Sequence, residues 1–128
     1  MTNVPAVPSA VRALRGATTL DVDEPDHVNE RVQALVGEML ERNQVSKDDL
    51  ISILFTATDD IHSMFPATAA RAIDLGDVPL ICARELDITG GTPMCVRVMM
   101  HLQTTRSRRE LHHVYLEGAR QLRDDLPS

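Results

Sequence analysis

The sequence predicts a single α+β or α/β domain in which about five strands are covered by one long helix. Three observations lead to it. The chain has 128 residues, enough for one core that removes roughly two thirds of the unfolded surface from water. One run, from Val28 to Leu40, places apolar residues at helical spacing. Several short runs rich in strand formers are separated by Gly, Pro or Asp.

Residues 1–9 hold prolines and small residues and read as a disordered or loosely held arm, with the domain proper spanning 10–128. VRALRGATT, 11–19, reads as a strand ending in a Gly-containing turn. Asp23, Glu24, Pro25 and Asp26 mark a helix start, because proline fits the first turn and acids favour the positive end of the helix dipole. Val28, Val32, Leu35, Val36, Met39 and Leu40 then form one face, with Asn29, Glu30, Arg31, Glu38 and Glu41 turned away, in a helix ending near Asn43. LISILFTAT, 50–58, is almost continuously apolar and suggests a strand buried on both faces. Pro66 opens a short helix through Ile73, with Gly76 just beyond. VPLICA, 78–83, is a strand that Pro79 demotes to an edge or restricts in where it pairs. Gly90-Gly91 permits a tight turn before CVRVMMHLQT, 95–104, and a short strand surrounds HVYL. The tail LEGARQLRDDL has helical propensity interrupted by Gly118, and its conformation stays open.

Composition narrows the function. Formal net charge is −6, and no basic stripe with interleaved aromatics exists to follow a phosphate backbone, so no nucleic-acid partner is expected. Arg106, Arg108 and Arg109 read as a solvated loop. No segment approaches the ~20 apolar residues that span a bilayer, and MTNVPAVPSA lacks the features of a secretory signal. Cys82 and Cys95 fit neither a CxxC nor a zinc pattern, so free thiols in a cytoplasmic protein are the expectation. Phe55, Phe65 and Tyr115 are the only aromatics, which makes any of them beside polar groups informative.

CVRVMMHL raises the functional question. At period two, Val96, Val98, Met100 and Leu102 share one strand face, and Cys95, Arg97, Met99 and His101 share the other. A guanidinium on that second face can snorkel to water, or it can serve a site. The usual chemistries are not signalled. The histidines lack metal-ligand spacing, no serine or cysteine has a nucleophile context, and Gly90-Gly91 belongs to neither GxGxxG nor a P-loop. What remains is Arg15, Arg71, Arg97, Tyr115 and Glu85 near element ends, each with an ordinary structural explanation when taken singly.

Taken together and in order, RGATT (15–19), FPATAAR (65–71), the C-x-x-E of CARELD (82–87), ITGGTPMCVRVMMHLQT (88–104) and HVYLE (113–117) resemble the monofunctional chorismate mutases of the trimeric, pseudo-α/β-barrel class. The likeness runs from about Leu14 to Leu126. It implies a mixed five-stranded sheet packed against one long helix plus short helices, in a homotrimer with active sites between subunits. It implies that chorismate rearranges to prephenate, on the path to phenylalanine and tyrosine, with no cofactor. Carried over by motif, Arg97 and Glu85 are the catalytic candidates, and Arg15, Tyr115, Cys82, Arg71, Phe65, Ala67, Leu122 and Arg123 are the substrate-binding ones. The chain departs from the family in its N-terminal arm, in Thr68 where a basic residue is common, and in its short end after Leu126.

The implied reaction suits these residue types. It is pericyclic: one C–O bond breaks while one C–C bond forms, and no proton moves. Catalysis then needs a compact substrate conformation and stabilisation of negative charge growing on the ether oxygen. Arg97 can aim a permanent charge at that oxygen. Arg15, Tyr115, Arg71 and Arg123 suit two carboxylates, Glu85 can accept from the ring hydroxyl, and Phe65, Ala67 and Leu122 supply walls. Cys82 and Glu85 have opposite parity, so the strand carrying Cys82 should end near Ala83 or Arg84. Two rival activities fit the same build: hydrolysis of imines or enamines, and non-catalytic sensing of an aromatic-pathway metabolite.

Overall fold

A computed structural model describes residues 8–125, the last three of these by backbone alone. Most of the expected arm, residues 1–7, lies outside the described residues; Ser9 accepts a hydrogen bond from Gln103 Nε2 at 2.7 Å. The elements in chain order are β1 (Ala10–Thr19), α1 (Pro25–Arg42), β2 (Leu50–Ala57), α2 (Pro66–Arg71), β3 (Leu80–Arg84), β4 (Cys95–Thr104) and β5 (Val114–Tyr115). A 3-10 helix, Glu117–Asp125, follows, and this is the form taken by the tail that the sequence left open. No helix among the described residues is long and apolar enough to cross a membrane.

The sheet is mixed, in the order β3-β2-β4-β1-β5. Alternation in β4 explains its central place. Val96, Val98, Met100 and Leu102 are buried on one face, while Arg97, Met99 and His101 are half-buried on the other. Both neighbours run antiparallel to it, β1 from Ala10↔Thr104 to Thr19↔Cys95, and β2 from Leu50↔Leu102 to Ala57↔Val96. β3 and β5 are parallel edge strands on β2 and β1, which fits the Pro79 that precedes β3.

Helix α1 starts with Pro25 in its first turn and Asp26 beside it, and ends at Arg42 with Asn43 as C-cap. Val28, Val32, Leu35, Val36 and Met39 are fully buried against the sheet. The fit is close enough to require a glycine. A Cβ on Gly16 would lie 2.5 Å from Met39 Sδ and 3.1 Å from Leu35 Cδ1. The strand therefore runs through Gly16 to Thr19, and no turn forms there. The residue is glycine because it has no side chain, not because its backbone must bend.

Four other expectations change. β2 is buried on one face only: Ile53 and Phe55 face the core, whereas Ser52, Leu54 and Thr56 are half-buried on the other face, which α1 and α2 do not cover. α2 stops at Arg71, two residues early, as the chain turns through Ala72 and Ile73. Arg31 does not join the solvated face of α1. It folds back to donate to Thr19 O at 2.6 Å and Asp21 Oδ2 at 2.7 Å, closing the end of β1 onto the helix. Arg106 likewise leaves the solvated loop and donates to the carbonyls of Asn43 and Gln44, which satisfies acceptors at the end of α1. Asn43 itself is fully buried and fully used: Nδ2 donates to Met39 O and His112 O, both at 2.9 Å, and Oδ1 accepts from His112 N–H at 2.7 Å.

Gly16→Ala should overpack the α1–β1 contact and destabilise the fold by about 1–3 kcal/mol, read from the urea midpoint. An unchanged midpoint would mean that α1 does not seat on β1 as closely as described.

Candidate active site

The sheet face opposite α1, covered at its β5 edge by the C-terminal 3-10 helix, carries a cavity of about 250 Å³, lined by Arg15, Ala17, Leu54, Thr56, Glu85, Arg97, Met99 and Tyr115 among others. Register brings these residues together from five segments. Arg97 on β4 lies opposite Ala17 on β1 and Thr56 on β2. Met99, the next residue on that face, lies opposite Arg15 and Leu54. Tyr115 on β5 pairs with Ala17. The small side chains flanking Arg97 leave open space over its guanidinium, while Leu54 and Met99 form an apolar floor.

β3 ends at Arg84, as expected, yet Cys82 and Glu85 still face opposite sides: Cys82 pairs with core-facing Phe55, and Glu85 shares the cavity face of Ala83, which pairs with Thr56. Arg84 makes a bidentate pair with Asp59, Nε–Oδ1 at 2.6 Å and Nη2–Oδ2 at 2.5 Å, that pins the strand end. Its guanidinium holds the Asp59 carboxyl below the usual carboxylate value through that hydrogen bond. The Glu85 N–H extends the ladder one bond further, to Ala57 O at 3.0 Å. Beyond it the side chain turns over the open face. Glu85 Oε2 accepts from Thr56 Oγ1 at 2.7 Å and stands 3.3 Å from Arg97 Nε. Oε1 accepts from Leu86 N–H at 3.2 Å.

Among the described residues, two buried donors in this cavity make no hydrogen bond. Arg97 Nε is buried, and its approach to Glu85 is close but lacks hydrogen-bond geometry. The Tyr115 hydroxyl is also buried without a partner, on a residue only 6% exposed. Leaving a buried donor unmet costs about 1–3 kcal/mol. Two such donors in one cavity mark the place where an external oxygen would be taken up.

The other candidates from sequence lie elsewhere in the chain. Cys82 faces the helix side of the sheet, where its Sγ accepts from Ala67 N–H at 3.4 Å. It lines a second cavity of about 550 Å³ with Phe65, Pro66 and Thr68. Ala67 is buried in the core, Arg71 is exposed at the end of α2, and Phe65 is 71% exposed. Asp23 holds the loop before Phe65 by accepting from the N–H groups of His62 at 2.7 Å and Ser63 at 3.0 Å. Leu122 packs beside Tyr115, Ala17, Cys95 and Ala119. Gly118 lets this C-terminal helix sit against β1: its N–H donates to Thr19 Oγ1 at 2.9 Å, where a Cβ would collide at 2.8 Å. The side chain of Arg123 lies outside the described ones. Burial raises the Cys95 thiol above its usual value, which keeps it protonated beside Arg97.

Sequence reasoning missed Thr56 and Leu54. Period two within LISILFTA puts them on one face, but the apolar character of the run hid that face as core.

Comparison with known proteins gives one consistent answer. The family model described as chorismate mutase type I matches residues 11–126. The chain is 38% identical over 117 residues to chorismate mutase AroH of Bacillus subtilis, covering 91% of this chain and 92% of that protein. It is 40% identical over 119 residues to chorismate mutase AroH of Thermus thermophilus, covering 92% and 98%. Among solved structures, a chorismate mutase from Clostridium thermocellum superposes with a TM-score of 0.84 at 42% identity, over 86% of this chain and 98% of that one.

Tyr115→Phe should leave the stability of the free protein unchanged within ~0.5 kcal/mol or raise it, because it removes an unpaired buried hydroxyl. Thermal unfolding checks this; a clear loss of stability would show that the hydroxyl is already bonded without ligand.

Proposed function

This chain belongs to the chorismate mutase type I family, and from that membership we propose how its cavity converts chorismate to prephenate. The protein is a chorismate mutase, an isomerase of aromatic amino-acid biosynthesis. The observation that carries the mechanistic reading is the pair of unpartnered donors, Arg97 Nε–H and Tyr115 O–H, in a cavity shared with Arg15 and Glu85.

Chorismate brings two carboxylates, a ring hydroxyl and the ether oxygen whose bond to carbon breaks. Arg97 donates to that oxygen. Its charge is permanent, and the β4 ladder sets its direction before substrate arrives, so no dipole must reorganise as charge develops. The ether oxygen gains negative charge only as its bond lengthens, so this contact strengthens on the way to the transition state and accelerates the step. Arg15 and Tyr115 hold a carboxylate. Glu85, kept in place by Thr56, accepts from the ring hydroxyl. Together these contacts restrict the flexible substrate to a compact conformer in which the carbons to be joined are close.

Charge balance supports a site completed by a second subunit. The cavity presents two guanidiniums and one carboxylate, a net charge of +1, against a dianionic substrate. Arg71 of a neighbouring copy supplies the remaining charge, with Phe65 as its wall and Cys82 at its margin. An association surface is available on the open sheet face and its rim, where Val11, Ile81, Leu86 and Ile88 are 56%, 64%, 78% and 65% exposed. The assembly is a homotrimer in which each cavity meets the Phe65 region of the next subunit.

Loss of chorismate absorbance on adding purified protein reads the reaction directly. Arg97→Ala should lower kcat/KM by at least ~10²–10³, the loss typical of one transition-state donor. Near-normal turnover would remove Arg97 from the mechanism, and binding without any turnover by the unmodified protein would favour a sensor. Mixing inactive Arg97→Ala and Arg71→Ala subunits under exchange conditions should restore activity, because some hybrid sites then carry both arginines. No recovery in trimers shown to have exchanged would contradict a shared site.

A further inference from the structure

β5 is only two residues long, yet it carries Tyr115 to the cavity. It pairs with β1 in parallel through Gly16↔Val114 and Ala17↔Tyr115. So short a parallel ladder specifies register weakly. One end is tied by Leu116 N–H donating to Ala17 O at 2.9 Å. At the other end a side chain does the work of a strand: the N–H of Arg15 donates to Nδ1 of His113 at 2.9 Å. The residue before it, His112, is clamped through its backbone by buried Asn43. The imidazole therefore joins Arg15 on β1 to the residue two before Tyr115 on β5, across a sequence separation of 98.

We infer that His113 is a positioning residue for substrate binding: its neutral ring, with the proton on Nε2, fixes the register of β5 on β1 and so the spacing between the Arg15 guanidinium and the Tyr115 hydroxyl. This rests on the reading of Arg15 and Tyr115 as ligands of a substrate carboxylate. Nδ1 accepts only while it carries no proton. Protonation replaces the acceptor with a second donor facing the Arg15 N–H, and it adds a cation beside the Arg15 side chain. The surroundings oppose that. Burial lowers the pKa of His113 from the usual imidazole value, and the charges of Arg15 on β1 and His112 on its own segment lower it further. α1 meets this segment through Asn43, which is uncharged. The bond is complete at neutral pH and is lost as pH falls through the depressed value.

Steady-state kinetics of three proteins tests the inference. His113→Leu deletes the acceptor, whereas His113→Asn keeps one, since Oδ1 is as many bonds from Cα as Nδ1 is. The Leu variant should raise KM roughly threefold to tenfold with a smaller change in kcat, the pattern of lost uniform binding. The Asn variant should keep a KM near that of the unmodified protein at neutral pH. The unmodified protein should show KM rising as the imidazole titrates on acidification, and the Asn variant should not show that rise. A purely structural role predicts lower thermal stability in both variants with KM unchanged. That result, equal KM values for Leu and Asn variants, or the same acid rise in the Asn variant would overturn the inference. If the Leu variant does not fold, the acid profile of the Asn variant decides alone. Arg15→Ala and Tyr115→Phe separate the two levels. If neither raises KM, the carboxylate reading falls and this inference with it; if both do and His113→Leu does not, only His113 loses its role.

Discussion

Arg97 sits on the central strand with a carboxylate 3.3 Å from its Nε and an unmet N–H, and the rest of the molecule arranges itself around that placement. A cation on a sheet face is tolerable only where water or a partner can reach it. Here the opposite face of β4 is fully committed to the core beneath α1, so the guanidinium cannot turn inward. β1 and β2 bracket β4 along its length, which makes the strand the stiffest support available. The flanking positions hold Ala17 and Thr56, one leaving room and the other orienting Glu85. A donor fixed in this way costs stability in the free protein and returns it when charge appears on a bound oxygen.

Periodicity made the scaffold legible. The buried face of α1, its start at Pro25 and its end near Asn43, the edge position of β3, and the alternation in β4 all follow from residue spacing. Gly16 was misread because a glycine needed for close approach to Met39 looks, in sequence, like one needed for a turn. β2 reads as buried on both faces because Ile51 and Leu54 keep the run apolar at positions the core does not take up. Arg31 and Arg106 were assigned to solvent on residue type, yet both satisfy backbone carbonyls at element ends, a demand that sequence spacing does not express.

The site was legible in part, and the limit has a physical cause. Spacing alone put Arg97 on the face away from the core and gave Cys82 and Glu85 the opposite parity that the structure shows. It could not bring Arg15, Glu85, Arg97 and Tyr115 into one cavity, because that depends on a strand order in which sequence neighbours do not pair. The resemblance to known motifs named ten candidates together. The fold divides them: four line the open-face cavity, Leu122 packs beside it, and Cys82 and Phe65 line the opposite side of the β3 edge. Of the residues bonded around these four, Thr56 and Asn43 lie outside every motif, because they act through hydrogen bonds that residue spacing does not express, whereas His113 opens HVYLE but was not singled out within it.

Whether the charge of Arg97 acts on the transition state rather than on the bound substrate is measured most directly by comparing two affinities. Dissociation constants of chorismate and of a stable bicyclic mimic of the rearrangement transition state would be determined for the unmodified protein and for Arg97→Ala. Selective action on the transition state requires the mimic to lose far more affinity than chorismate does. Equal losses for both ligands would show that Arg97 merely binds, and that the acceleration originates elsewhere.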